Sequence, residues 1–198
     1  MMDNNFFALM FRMKYIHRWV LMRSGVPESL STHSAETAIT AHALAAIGNN
    51  IFNKSYDCDK IGMKALYHDA PEILTGDLPT PVKNHSEKMR QAYKSIESAA
   101  LERFSELLPS ELKETYDDVF KLSPDEKKLV KAADKLCAYI KCIEEKRCGN
   151  SEFDMAFVTV EKNIEEMCAD IDELKYFCDN FLPGFYLPLD TLKQENRS

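Results

Sequence analysis

The tetrapeptide Ser123-Pro124-Asp125-Glu126 constrains this chain more than any other stretch. A serine oxygen can cap the free N–H groups of a first helical turn. Proline suits the first helical position, because its missing N–H would be unbonded there anyway, and a glutamate three residues past the cap can close a return hydrogen bond. The residues after this start keep one apolar face: Leu129, Val130, Ala133, Leu136, Cys137, Ile140 and Ile143 share an arc at helical spacing. The pattern predicts one long helix to about Arg147, before Gly149. Such a one-sided helix needs an apolar layer to pack against. No stretch of the chain alternates convincingly as a strand would, so the partners must be helices and the expected class is all-α.

The rest of the chain divides by its breakers. An amphipathic helix is expected from about Asn5 to Met22, with Phe6, Leu9, Met10, Met13 and Ile16 at helical spacing and Gly25 and Pro27 behind it. Ser31 or Thr32 is the expected cap of a second helix to Ile47, ended by Gly48. Asp57 or Asp59 should start a third, through Leu66 to Ala70, where Pro71 stops or kinks the chain. Leu74–Pro81 reads as loop. Periodicity returns from about Glu87 to Leu107, a shorter helix comes after Pro109 and Ser110, and another covers about Ser151 to Cys168. With 198 residues, no repeat and no linker tract, one domain over residues 1–198 is the simplest organisation.

The net charge of −7 argues against coating a nucleic-acid polymer, which the average field would repel. A small phosphorylated metabolite is compatible, since one arginine and one bound cation reverse the sign locally. Cys58, Cys137, Cys142, Cys148, Cys168 and Cys178 form no C-x-x-C pair, and no signal-peptide pattern precedes them. Reduced thiols in a cytoplasmic protein are expected. No apolar run is long enough to cross a membrane.

Five histidines are available for chemistry: His17, His33, His42, His68 and His85. His68-Asp69 is the sharpest local feature, near the expected end of the third helix. Imidazole nitrogen beside carboxylate oxygen suits a divalent transition metal better than calcium. Alone, the dipeptide reads better as a surface pair near a helix end. His33 falls in the first turn of the second helix. His42, nine residues on, points to the opposite side, so the two cannot share an ion. His42 is expected at a rim or in the core, and His85 in a solvated loop. Asp134 borders the apolar arc of the long helix, about 40° beyond Val130. A solvated rim carboxylate fits that position too, although Ala133 and Ala138 would leave room for an ion.

The order His33, His68-Asp69, Asp134 resembles the H…HD…D motif of the HD superfamily of metal phosphohydrolases. Four longer stretches narrow the likeness: IHRW (Ile16–Trp19), ESLSTHS (Glu28–Ser34), YHDAPEILTGDLPTPVK (Tyr67–Lys83) and ADKLCAYIKCIEE (Ala133–Glu145). In this order, over nearly the whole chain, they are similar to the bacterial HD-domain 5'-deoxynucleotidases of the YfbR type. The resemblance implies an HD-domain helical bundle, homodimeric, that uses one divalent ion such as cobalt or manganese. It implies hydrolysis of deoxyribonucleoside 5'-monophosphates to deoxyribonucleoside and phosphate. His33, His68, Asp69 and Asp134 would be the metal ligands and Glu72 the catalytic carboxylate. Arg18 would bind and orient the phosphate. Trp19, Asp77, Leu78, Pro79 and Thr80 would line the sugar side, with Asp69 and Asp134 also against the substrate. Thr32 stands where these enzymes often carry Glu, and Pro71 where Ser is common; neither departure removes a functional group.

On this reading the Trp19 face would close against C2' and disfavour ribonucleotides, and Asp77 would accept a hydrogen bond from the 3'-hydroxyl. No base-reading element stands out, so base selectivity should be small. Two rivals stay open: another HD phosphohydrolase, acting on cyclic nucleotides, dinucleotides or deoxynucleoside triphosphates, and a nucleotide-binding module without activity. Arg12, Lys14, Arg18, Arg23 and Lys83 are too dispersed for the dense basic cluster a triphosphate needs, and the complete ligand set with Glu72 argues against a mere binder.

Overall fold

The structure, a computed structural model, describes residues 4–83 and 85–192, and of Thr80 the backbone alone. In chain order the helices are α1 (Phe6–Met10), α2 (Leu30–Ile51), α3 (Cys58–Leu66), α4 (Glu72–Thr75), α5 (Thr80–Lys83), α6 (Glu87–Glu106), α7 (Ser110–Val119), α8 (Pro124–Arg147), α9 (Asp154–Cys168), α10 (Asp172–Asn180) and α11 (Leu189–Leu192). Short 3-10 turns cover Phe11–Tyr15, Ser151–Phe153 and Leu182–Tyr186. No strand forms among the described residues; the one extended pairing is an antiparallel bridge between His17 and Ser29. The all-α class is therefore observed.

The α8 start is built as its residues dictate. Ser123 Oγ accepts the Glu126 N–H at 3.3 Å, and Glu126 Oε2 accepts the Ser123 N–H at 2.6 Å. Around α8 a large core gathers α2, α3, α9 and α10, with Leu44, Leu136, Ile143, Phe153 and Leu174 fully buried. Each such side chain is worth roughly 1.5–3 kcal/mol of burial. A smaller core joins α1 and α6 through Phe6, Met10, Ala100, Phe104 and Leu108. The turn after α3 crosses between the two: Ala65 belongs to the large core and Ala70 to the small one.

Several elements differ from expectation. The first helix does not reach Met22. It tightens after Met10, and Ile16 turns extended (φ −96°, ψ 120°) because residues 16–18 pair with Glu28–Leu30. There the Arg18 N–H donates to Glu28 O at 2.9 Å, and the Leu30 N–H to Ile16 O at 2.8 Å. The cap of α2 is Ser29, not Ser31 or Thr32; its hydroxyl accepts the Thr32 N–H at 3.1 Å. Gly48 does not end α2 but sits inside it, where a Cβ would lie 2.5 Å from Tyr56 Cε2, so the helix passes close beneath that ring. Asp57 caps α3, which stops at Leu66 rather than Ala70. Tyr67–Pro71 is a run of tight turns, with N–H bonds to carbonyls three residues back, as from Ala70 to Tyr67 and Glu72 to Asp69. The loop at Leu74–Pro81 holds the start of α5, and α10 and α11 lie beyond the last expected helix.

Candidate metal centre

Three segments bring four expected ligands together. His33, fully buried, comes from the first turn of α2; Asp134 comes from the first half of α8; His68 and Asp69 come from the turn after α3, not from a helix as expected. One donor atom from each lies within 4.8 Å of the others. His33 Nε2 is 3.1 Å from Asp134 Oδ1 and 3.6 Å from Asp69 Oδ2, and His68 Nε2 is 3.1 Å from Asp69 Oδ2. His42 is half-exposed beside Asp59, at the rim, and His85 is exposed.

The donor chemistry tests whether a cation fits. His68 Nδ1 lies 2.7 Å from the Ala65 carbonyl, which can only accept, so Nδ1 carries the proton. Its Nε2 is buried 3.1 Å from Asp69 Oδ2, with no hydrogen-bond partner among the described residues. Beside that carboxylate Nε2 calls for positive charge between the two, a proton or a bound cation. Burial alone would lower the His68 pKa, but the Asp69 and Asp134 charges outweigh it and push it up to about 9. Burial likewise works to raise the Asp134 carboxyl, yet His33, Lys135 and His68 hold it far below the usual range. Two imidazole nitrogens and two carboxylate oxygens thus face one another, a donor set that suits a divalent transition ion.

Arg18 and Trp19 stand on the α2 side. Arg18 Nη1 is 3.2 Å from Glu28 Oε2 and 2.6 Å from His33 Nδ1, and Nη2 is 3.8 Å from Asp134 Oδ1. Trp19 adopts φ +60°, unusual for a bulky residue, packs on Phe153 at 5.2 Å and donates its indole N–H to Glu28 Oε2 at 2.6 Å. Glu28, only 6% exposed, is a residue that no sequence pattern singled out. It lies inside the ESLSTHS stretch, where an acid ahead of a helix start reads as a dipole partner. Burial acts to raise its pKa, but His33 and Arg18 keep it lowered and ionised.

The opposite side carries Glu72, Asp77 and Lys83. Glu72 is buried at the start of α4. Burial and the Asp69 charge raise its carboxyl to about 7, against the Lys83 ammonium 2.5 Å from Oε1. Its Oε2 has no hydrogen-bond partner among the described residues. Lys83, counted in the sequence only as a nearby base, also lies 3.8 Å from Asp77 Oδ1 and 5.0 Å from the Tyr93 ring centroid. Asp77 follows Gly76, whose φ of +70° suits glycine at this turn. Burial raises the Asp77 pKa, and the Arg18 and Lys83 charges pull against it. Leu78 and Pro79 are half-buried in the loop, and the Thr80 side chain lies outside the described residues. An open groove of about 730 Å³, lined by Ile47, Phe177, Phe181 and Phe185 among others, lies elsewhere and contains none of these groups.

Comparison with known proteins assigns the chain to a family. The family model described as 5'-deoxynucleotidase YfbR-like matches residues 5–185. The chain is 44% identical to a 5'-deoxynucleotidase of Enterobacter sp. strain 638 and 43% identical to 5'-deoxynucleotidase YfbR of Escherichia coli, each over 199 aligned residues and 99% of both chains. An HD-domain phosphohydrolase from Listeria innocua superposes with a TM-score of 0.79 at 22% identity, covering 96% of this chain and 92% of that one. The HD phosphohydrolase DatZ of cyanophage S-2L, solved with dA and one catalytic Zn2+, superposes with a TM-score of 0.65 at 18% identity, covering 89% and 96%. Those two show the shared fold. On the full-length match of sequence and family model, this chain belongs to the YfbR-like family of 5'-deoxynucleotidases.

Proposed function

We propose that this 5'-deoxynucleotidase binds one divalent ion, cobalt or manganese, through His33, His68, Asp69 and Asp134, and hydrolyses deoxyribonucleoside 5'-monophosphates with little base selectivity. Such an ion, when bound, lets water lose a proton near neutral pH and offsets phosphate charge. The protein's own groups do the rest. The planar Arg18 guanidinium can grip two phosphate oxygens at once, which a lysine cannot. Glu72, with an Oε2 unpartnered among the described residues and a pKa raised to about 7, can take a proton from attacking water or give one to the departing 5' oxygen. Proton transfer of that kind is typically worth about 10²–10⁴ in rate. Lys83 holds the other oxygen of Glu72 and steadies its direction.

Trp19 is the sugar gate on this reading: its face closes on C2', where a ribose hydroxyl would meet an apolar surface. Rejection by such a surface is on the order of 10². Asp77 accepts the hydrogen bond from the 3'-hydroxyl, and Leu78, Pro79 and Thr80 border the same side, with Asp69 and Asp134 also against the substrate. The chain works as a single HD domain over residues 1–198, as a cytoplasmic homodimer. Exposed Phe11, Leu21, Phe181 and Leu189 near the two ends supply apolar area for the dimer. Among the described residues no helix is long and apolar enough to cross a membrane.

The observation that carries the proposal is the meeting of four donor atoms within 4.8 Å, flanked by Arg18 and Glu72. The test is phosphate release by metal-free protein reloaded with cobalt or manganese, assayed with dAMP, dGMP, dCMP, dTMP, AMP, dATP and cyclic AMP. All four deoxymonophosphates should turn over at similar rates, and AMP about 10² more slowly. Triphosphate release from dATP with none from dAMP would replace this reading with a triphosphohydrolase.

A further inference from the structure

Glu28 touches both halves of the machinery: its Oε2 takes the Trp19 indole N–H at 2.6 Å and Arg18 Nη1 at 3.2 Å, while its Oε1 lies 3.6 Å from His33 Nδ1. A neutral acceptor would be enough for the indole alone. One carboxylate can serve all three groups, because its two oxygens offer about four acceptor directions. The backbone adds a second link, since the Arg18 N–H donates to the Glu28 carbonyl at 2.9 Å and His17 bridges Ser29. Glu28 is thus held against the segment that carries Arg18 and Trp19, directly before the Ser29 cap of the helix that carries His33.

Two neighbours compete for His33 Nδ1. Arg18, 2.6 Å away, can only donate, and its approach demands a bare Nδ1 with the ring proton on Nε2. Ionised Glu28 can only accept, and demands the reverse. A cation at Nε2 requires the tautomer Glu28 favours. Arg18 then has to leave Nδ1, which frees its donors for phosphate.

We propose that Glu28 is a positioning residue that couples the metal site to sugar selection, one oxygen setting the His33 tautomer and the other setting the Trp19 ring and the Arg18 fork. The proposal deepens the function given above and rests on His33 as a ligand and Trp19 as the sugar gate. It is separable from both. A merely structural carboxylate would affect stability, leaving intrinsic metal affinity and the deoxy-to-ribo ratio in place.

The test uses full-length Glu28→Gln, which keeps size and loses charge, beside Trp19→Phe. Metal-free protein of each is titrated with cobalt(II) and followed by its visible absorption, and kcat/KM is measured for dAMP and AMP at saturating cobalt. Glu28→Gln should bind cobalt about 10–100-fold more weakly, the range for a group that orients a ligand histidine. Its dAMP-over-AMP preference should also fall, by about tenfold out of the roughly 10² available. Trp19→Phe should lower the preference while leaving cobalt affinity alone. Unchanged cobalt affinity and preference in a Glu28→Gln protein with native helical content overturns the proposal, and so does a loss of cobalt affinity alone, which breaks the coupling. If Trp19→Phe keeps full preference, the sugar-gate reading is what fails, and cobalt affinity of Glu28→Gln then decides the role of Glu28 at His33. Should the Gln variant not fold, Glu28→Asp keeps the charge but shortens the reach to Trp19; a drop in both readouts supports the proposal and no change in either overturns it.

Discussion

The two walls of the site are made of different material. One wall, α2 and α8 with the segment Arg18–Glu28, comes from helices of 22 and 24 residues set in the large core. Its proposed ligand His33 is fully enclosed, and its arginine is tied to Glu28 and near Asp134. The other wall, Tyr67–Lys83, is a chain of tight turns and two four-residue helices, crossing from the large core to the small one. It carries His68, Asp69, Glu72 and Asp77, to which the proposal assigns metal binding, proton transfer and the 3'-hydroxyl. Long packed helices fix a position to within the tolerance of their core, whereas turns have fewer buried contacts and can adjust. Damage to the second wall should therefore cost chemistry, and damage to the first should cost stability as well.

The sharpest break of this contrast is His68→Ala or Asp69→Asn. Either should abolish cobalt binding and drop turnover to background, a larger loss than the about 10–100-fold typical of a group that only orients a ligand. The metal-free fold should survive both. Asp69→Asn removes a carboxylate that, against the pull of burial, His68 holds below the usual range, so its thermal midpoint without metal should fall below that of the parent without loss of the fold. Titration with cobalt(II) and circular-dichroism melts check the pair together. Stoichiometric cobalt binding with normal turnover in both variants would dissolve the assigned centre.

Glu72→Ala sharpens the contrast on the same wall. The metal should stay, because Glu72 is not among the four clustered donors. The rate constant kcat should fall by about 10²–10⁴, the span expected for lost proton transfer. Single-turnover assays at saturating cobalt read this directly, and an unchanged kcat removes Glu72 from the chemistry.

Legibility in the sequence divides along the same line. The α8 start was legible because Ser123, Pro124 and Glu126 each act through their own turn. Asp134 at the edge of the apolar arc was legible because α8 is regular enough for wheel geometry. The N-terminal segment misled, since Phe6, Met10 and Met13 do keep helical spacing and are buried, but the pairing of residues 16–18 with Glu28–Leu30 overrides propensity from Ile16 onward. Local pattern cannot announce a bridge to residues twelve positions away. His68 and Asp69 were found as residues and misplaced as structure, because Pro71 signals a break without saying how far back the turns extend. Glu28 and Lys83 act through side-chain contacts across ten or more residues, and neither lies at a spacing that marks it. The resemblance covered their stretches without assigning them work.

The smallest effect on chemistry, and the best check on the stiff wall, comes from Glu145 in α8. This carboxylate is 2% exposed and accepts from Lys141 Nζ at 2.5 Å, Ser24 Oγ at 2.7 Å, the Gly25 N–H at 2.8 Å and Asn150 Nδ2 at 2.7 Å. It pins the loop between Trp19 and Glu28 onto the long helix, and Gly25 permits the approach, since a Cβ there would sit 3.1 Å from the carboxylate. Removing its charge leaves buried Lys141 without a counter-ion and should cost about 3 kcal/mol, the lower end for breaking a buried pair. Burial works to raise the Glu145 pKa, but Lys141, Asn150, Gly25 and Ser24 pull it far below its ordinary 4.5. A carboxyl lowered on folding adds stability that is complete above the unfolded pKa and fades as pH falls below it. The gap in urea midpoint between parent and Glu145→Gln should therefore be widest at neutral pH and shrink below about pH 4.5. Turnover of dAMP by the folded variant should stay within about tenfold of the parent, because the substitution loosens a support and removes no reacting group. A gap that holds constant into acid would mean that the Glu145 charge does not bind the two segments, and the stiff wall would then owe its order to the apolar core alone.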